Sequence, residues 1–224
     1  MNKISDWINE NKEEKYAEFS SKITTSRYPL LGVRIPKLKS KAKELIKEKD
    51  INVLEDINCD SFEEMMLRGM VIAYSGISLK EKETLLYQHL CECDNWALID
   101  TLCTCFKLKG KEKEEMYQLI CDYWSDEHTY VVRFAIVMSM HYNDDEHIDD
   151  ILEHCCLLER KEYTLKMANS WLLQDLSVNY FDKVIKIIDK LDDETKRYYK
   201  RKMLDSFKII KERKEIVRRV CLKN

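Results

Sequence analysis

Four residues in the middle of the chain have side chains suited to binding a positively charged group on a polyanion. They are Trp96 and Asp100 in NWALID, Arg133 in YVVRF, and Trp171 in NSWLL. Trp96 and Asp100 stand four residues apart, so on a helix they share one face, and the other two follow at intervals close to one two-helix repeat. Indoles attract cations, a carboxylate stabilises positive charge, and a guanidinium binds phosphate. The set suits a polyanion with a cationic, sugar-like reacting centre, and alkylated DNA has that chemistry.

Each of these residues also has a purely structural interpretation. A Trp on an apolar helix usually packs in the core, Asp100 can cap a helix or form a salt bridge, and Arg133 can occupy a solvated repeat position. Trp7 and Trp124 lie outside the pattern and are assigned to packing.

The composition favours an all-α protein. The 224 residues include only four Gly and two Pro, with abundant Lys, Glu and Leu, which leaves few turn residues for a β-rich fold. The length suffices for one domain or for an array of about six helix pairs.

Helix starts are marked by capping signals. Ser61 with Glu64 and Ser78 with Glu81 have capping-box spacing, and Pro36 stands where the first turn of a helix tolerates it. The stretch YPLLGVRIP is expected to be extended, because each proline disfavours helical backbone angles at the residue before it. We expect this stretch to pack as a fixed connector. The predicted helices span about 3–20, 36–49, 61–75, 79–92, 95–108, 111–124, 129–142, 145–158, 161–177, 179–191, 193–207 and 211–222.

Similar segments recur along the chain, each with a basic residue followed by an apolar run. Arg68, Arg133, Lys166 and Lys202 fall at separations of 65, 33 and 36 residues, which are one or two repeats long. This period predicts one HEAT-like-repeat domain over residues 1–224, a right-handed solenoid (α-α superhelix) whose equivalent helices line a concave groove. Chance similarity among amphipathic helices is the alternative.

Charge is distributed unevenly around a net value of −3. Residues 193–224 contain twelve Lys or Arg and five Asp or Glu, a net charge of +7, which leaves −10 for residues 1–192. A basic patch can bind phosphates, although many such patches are only solvated helix faces. The candidate DNA-binding residues are Arg68, Lys166, Lys200, Arg201 and Lys202.

Cysteine usage predicts a reducing compartment. The nine cysteines are odd in number, and the N-terminus lacks a secretory pattern. Apolar runs are too short to span a bilayer. We therefore expect a monomer in a bacterial-type cytosol, associated with the nucleoid when bound to DNA, with no membrane partner.

No metal and no cofactor are expected. The histidines and cysteines cluster in two places, but neither cluster has the spacing of a zinc knuckle or a catalytic Cys-His motif. Buried free thiols account for such cysteines. The clusters are His89, Cys91, Cys93, Cys103 and Cys105, and then His154, Cys155 and Cys156.

Three segments of the chain carry a family resemblance. WALID, VVRF and ANSWLL, with GVRIP upstream, resemble the corresponding segments of the AlkD-like DNA alkylation repair proteins, which are HEAT-like-repeat DNA glycosylases. The resemblance spans about residues 20–210. It depends on the Trp96 and Asp100 pair being followed by Arg133 and then Trp171, in the order and near the spacing that the family has. By position, the residues that match the catalytic cleft of that family are Trp96, Asp100, Arg133 and Trp171.

One position departs from the family pattern. Family glycosylases present an aromatic side chain from an N-terminal helix toward the lesion, whereas this chain has Ile23 there, with Phe19 and Tyr28 nearby. The family also includes members that bind DNA without excising bases.

The resemblance implies a monofunctional DNA glycosylase, a hydrolase of base excision repair. It would release cationic alkylpurines such as 3-methyladenine and 7-methylguanine from duplex DNA, without flipping the base into a pocket. Asp100 would stabilise the oxocarbenium-like sugar and position water, the two tryptophans would hold the nucleotide, and Arg133 would anchor a phosphate. The alternatives are a non-catalytic HEAT-like DNA-structure binder and a protein-interaction scaffold.

Overall fold

The computed structural model describes residues 3–221, and this part of the chain is helical with no β-strand. The predicted all-α class is therefore confirmed there. No helix within 3–221 is both long enough and apolar enough to cross a membrane. The α-helices are α1 (Lys3–Asn11), α2 (Glu14–Ser21), α3 (Ile35–Lys49), α4 (Phe62–Tyr74), α5 (Leu79–Glu92), α6 (Trp96–Cys103), α7 (Gly110–Tyr123), α8 (Thr129–Met138), α9 (Ile148–Leu157), α10 (Tyr163–Ile187), α11 (Asp193–Asp205) and α12 (Lys211–Val220).

Two predicted helices, those over 3–20 and 95–108, differ clearly from the observed ones. The helix predicted over 3–20 is two helices, because Glu13 has an extended backbone and donates its N–H to Gly32 O at 3.1 Å. The helix predicted over 95–108 ends at Cys103. The two helices predicted over 161–177 and 179–191 are joined in α10 across a kink at Tyr180 (φ −119°, ψ 37°), so the predicted break is present close to its expected position.

The described chain divides into two compact units, with the boundary between Met116 and Tyr117. In the first unit α4 packs against α3, α5 and α6. Every residue of α4 is buried except Arg68 and Tyr74, so this helix forms the centre of the unit. The predicted capping boxes are present at Ser61 and Ser78 and fix the starts of α4 and α5.

The connector between α2 and α3 is fixed to α4 by a buried carboxylate. Glu63 accepts hydrogen bonds from the backbone N–H groups of Leu31, Gly32 and Val33 at 3.0, 2.6 and 3.2 Å. Gly32 has φ +92°, and a Cβ at this position would lie 2.5 Å from Glu13 O. Only glycine fits this turn. Because three backbone N–H groups of the connector bond to Glu63, the prediction of a fixed connector is confirmed.

In the second unit α10 packs against α8, α9 and α11, and α11 packs against α12. Residues 131–138 of α8 are all buried, and they form the segment VVRFAIVM, which is apolar except for Arg133. Paired helices of this kind are consistent with a repeat-like arrangement. The right-handed winding, the concave groove and the single domain over 1–224 stay predictions.

Candidate functional site

The helix α6, which carries Trp96 and Asp100, is held in place by the two residues before it. Asn95 is its N-cap, accepting from the second helical N–H at 2.8 Å, and its amide donates to Thr25 O at 2.9 Å. The Asp94 carboxylate accepts from Ser26 Oγ at 2.8 Å and from Arg27 N at 2.5 Å. These bonds fasten the start of α6 to the segment that follows α2.

Trp96 lies at the start of α6 with its indole partly exposed, and Asp100 lies one turn later with its side chain half-buried. Trp96 is 40% exposed, and it lines a cavity of about 170 Å³ together with Phe19 and Ile23, which are 60% and 58% exposed. Large apolar side chains that cluster while exposed mark a binding surface rather than a core. Phe19 of α2 therefore contributes an exposed aromatic side chain to the cavity that Trp96 lines.

Arg68 is held within the first unit by two partners on α5. Its Nε donates to His89 Nδ1 at 3.1 Å, and its Nη2 donates to the Glu92 carboxylate at 2.6 Å. Burial of the ring, and to a smaller extent the positive charge of Arg68, lower the pKa of His89 to about 3. The imidazole is therefore neutral, and its Nδ1 can accept the hydrogen bond from Arg68. A DNA contact by Arg68 stays a prediction, and it would need the guanidinium to exchange these partners.

Arg133 lies in the second unit and is buried, with 5% of its surface exposed. Its Nη1 donates to the backbone O of Thr164 at 2.5 Å and to Thr164 Oγ1 at 3.0 Å. These bonds join α8 to the start of α10. The predicted phosphate anchor is therefore a structural link as well, and its role toward DNA stays a prediction.

Trp171 and Lys202, both predicted from the sequence, lie against each other in the second unit. The Lys202 ammonium is 5.9 Å from the centroid of the half-buried Trp171 ring, which is within cation–π range. Part of the Trp171 ring face is thus already in contact with a cation of the protein. A nucleotide that stacks on this ring would do so next to a positive charge.

The remaining basic candidates differ in their availability. Lys166 is buried and its ammonium is 2.7 Å from the Glu194 carboxylate and 2.9 Å from that of Asp192. The hydrogen bond to Glu194, and then the one to Asp192, have the largest effects on the pKa of Lys166, and both raise it. Lys200 is half-exposed, and the side chain of Arg201 is 82% exposed. The exposed pair is better placed for phosphate contacts than Lys166 is.

Asn95 and Asp94 were not among the residues selected from the sequence. An Asn directly before an apolar helix is a recognised N-cap signal, so the capping role of Asn95 can be predicted from the sequence. The hydrogen bond from Asn95 to Thr25, a residue 70 positions away, cannot be predicted in this way, because no local pattern encodes a long-range contact.

Replacing Asn95 with Ala is expected to lower the free energy of unfolding by about 1–2 kcal/mol, because both the cap and the bond to Thr25 O are lost. Asn95→Ser should recover the capping part only, since a hydroxyl can accept from the helix but is too short to replace the amide. Urea denaturation measures the change, with Asn58→Ala at an exposed position of the same unit as control. Equal stability of Asn95→Ala and the control would contradict the assignment.

Comparison with known proteins gives one family match. The profile of the family described as DNA alkylation repair enzyme matches residues 4–206, which is most of the chain. No curated protein and no solved structure gives a significant match. The match includes all four residues selected for their chemistry, from Trp96 to Trp171. The chain belongs to the DNA alkylation repair enzyme family, which associates it with the repair of alkylated DNA.

Proposed function

We propose that this chain is a monofunctional DNA glycosylase that hydrolyses the N-glycosidic bond of cationic alkylpurines, such as 3-methyladenine and 7-methylguanine, in duplex DNA. One observation carries the proposal: in a member of this family, Trp96 and Asp100 share one face of a capped helix, and the indole is exposed beside an apolar cavity. An exposed indole and a carboxylate one turn apart can bind a nucleotide sugar and stabilise positive charge on it.

The chemistry requires charge stabilisation more than acid catalysis. A purine alkylated at N3 or N7 is already cationic, so it leaves as a neutral base when the bond from C1′ to nitrogen breaks. The sugar then carries the positive charge as an oxocarbenium-like species until water adds to C1′ and loses a proton. Asp100 is proposed to stabilise this charge and to position the water, as the second carboxylate does in glycosidases.

The aromatic residues are proposed to hold the nucleotide. Trp96 would stack against the deoxyribose and attract the cationic centre, a contact of roughly 0.5–2 kcal/mol. Phe19, exposed on the same cavity, supplies an apolar surface next to it. Trp171 is proposed as a further stacking residue, and Arg133 as a phosphate anchor that would exchange Thr164 for the phosphate.

A second candidate function is a non-catalytic DNA-structure binder. It is favoured by Arg133, because the guanidinium of this predicted cleft residue is buried and bonded to Thr164 rather than presented to a substrate. The burial of Lys166 and the net charge of −10 over residues 1–192 limit the surface that can meet phosphates, and both argue against DNA binding of either kind. A protein-interaction scaffold is the third candidate, and it becomes the better account if the chain does not bind duplex DNA at low salt.

Binding to duplex DNA is expected to weaken steeply with salt, because contacts with phosphates release counterions. Charge reversal at Lys200 and Arg201, to Glu at both positions, should weaken binding about equally for all sequences and reduce the slope of log K against log salt by about one per lost contact. Fluorescence anisotropy over a salt series measures both effects. Lys80→Glu, at an exposed position of α5, is the control. An unchanged slope in the double variant would exclude these two residues from the DNA interface.

Base release tests the proposal directly. Free 3-methyladenine and 7-methylguanine from a methylated duplex are quantified with the chain and without it, so that spontaneous depurination is subtracted. Release above that background supports the glycosylase, and DNA binding without release supports the non-catalytic binder.

A further inference from the structure

Three potential metal ligands from two helices meet in the second unit. Cys121 of α7 and Asp150 and His154 of α9 bring a thiol sulfur, a carboxylate oxygen and a ring nitrogen within 4.8 Å of one another. Cys121 Sγ is 3.8 Å from Asp150 Oδ2, and His154 Nε2 is 3.9 Å from Asp150 Oδ1. Asp150 and His154 are one helical turn apart, so both project from the same face of α9.

The separations are close to those of a tetrahedral zinc site. Zinc bonds of about 2.3 Å to sulfur and about 2.0–2.1 Å to nitrogen and oxygen place neighbouring ligand atoms roughly 3.3–3.5 Å apart. All three ligand atoms lie within 4.8 Å of one another, so the side chains would need to approach by at most roughly 1.5 Å. Asp150 is exposed and Cys121 is partly exposed, so both have room to make that adjustment.

The types of ligand select among metals. Thiolate and imidazole ligands bind borderline and soft divalent ions, whereas magnesium and calcium prefer all-oxygen sites. A Cys, His and Asp set is therefore suited to zinc, and cobalt is its usual spectroscopic substitute.

Two neighbouring aromatic residues fix the ligands. The hydroxyl of Tyr117 donates to Asp150 Oδ2 at 2.6 Å, which leaves Oδ1 for a metal. The Trp124 indole stacks on the His154 ring, with centroids 5.2 Å apart and planes inclined by 12°. Outer contacts of this kind hold metal ligands in a binding orientation, which supports metal binding by this cluster.

We propose that Cys121 Sγ, Asp150 Oδ1 and His154 Nε2 form a zinc site of this protein. Three protein ligands leave a fourth position for water or a small exogenous ligand. The site adjoins a cavity of about 380 Å³, lined by Cys121, Trp124, His154 and Arg160 among others, which has room for such a ligand. This departs from the sequence-based expectation of no metal, which considered His154 only with its neighbours Cys155 and Cys156.

Cobalt titration of the metal-stripped chain of residues 1–224 tests the proposal. One equivalent of Co²⁺ should produce a thiolate-to-cobalt charge-transfer band and the strong visible bands of four-coordinate cobalt, and one equivalent of Zn²⁺ should remove both. Cys121→Ser should abolish the charge-transfer band. Asp150→Asn and His154→Gln should each weaken binding at least 100-fold, and Tyr117→Phe should weaken it about 10–100-fold.

A matched cysteine variant provides the control. Cys156→Ser changes a partly exposed thiol on the same helix as His154, and the cobalt spectrum should stay unchanged. Circular dichroism of each variant establishes that the helices are intact. Absence of the charge-transfer band in the unmodified chain, or its persistence in Cys121→Ser, would overturn the proposal. The result is independent of base release, so the two proposals can fail separately.

Discussion

Replacing Asp100 with Asn is expected to lower the single-turnover rate of 7-methylguanine or 3-methyladenine release by about 10²–10³-fold. The substitution keeps the shape and the capacity for hydrogen bonds but removes the negative charge that stabilises an oxocarbenium-like sugar. DNA affinity should stay level or rise, because the carboxylate repels phosphates. Excision and equilibrium binding are measured on the same methylated duplex.

Glu83→Gln is the matched control for this prediction, since it removes a carboxylate charge at an exposed position of the same unit. It should leave excision within a factor of about two, because surface charges distant from a site contribute little. Undiminished base release by Asp100→Asn would remove this residue from the proposed mechanism.

Replacing Glu63 with Gln is expected to lower the free energy of unfolding by about 2–4 kcal/mol. The carboxylate is 3% exposed and accepts from three backbone N–H groups of the connector. An amide offers one oxygen, and its NH₂ group would face a donor instead of accepting from it. The melting temperature should fall by roughly 5–15 °C for a chain of this size.

Thermal and urea denaturation of Glu63→Gln measure that loss, and Glu83→Gln again serves as the exposed control, with an expected change within about 0.5 kcal/mol. A melting temperature of Glu63→Gln equal to that of the control would mean that the connector is not held by this carboxylate.

Local signals in the sequence predicted the helices well where caps define them. Ser61 and Ser78 begin α4 and α5 as the capping boxes indicated, because these bonds form within four residues. The break at Glu13 was missed, since its cause is a hydrogen bond to Gly32, which lies in another segment. Boundaries set by tertiary contacts are outside the reach of local patterns.

The residues of the candidate site also divide into features that local patterns predict and features that depend on tertiary contacts. The shared face of Trp96 and Asp100 follows from helical periodicity and could be predicted. The burial of Arg133 and its bonds to Thr164 could not, because the partner is 31 residues away. The meeting of Cys121 with His154 likewise depends on how two helices pack, which spacing along the chain does not encode.

Excision of cationic alkylpurines can be measured by single-turnover base release from a duplex that carries one 7-methylguanine. With the chain in excess over DNA, we expect free 7-methylguanine to appear well above the rate of spontaneous depurination, and an abasic site to remain in the strand. DNA that is bound by the unmodified chain but releases base only at the spontaneous rate would contradict it, and would leave the non-catalytic DNA binder as the better account.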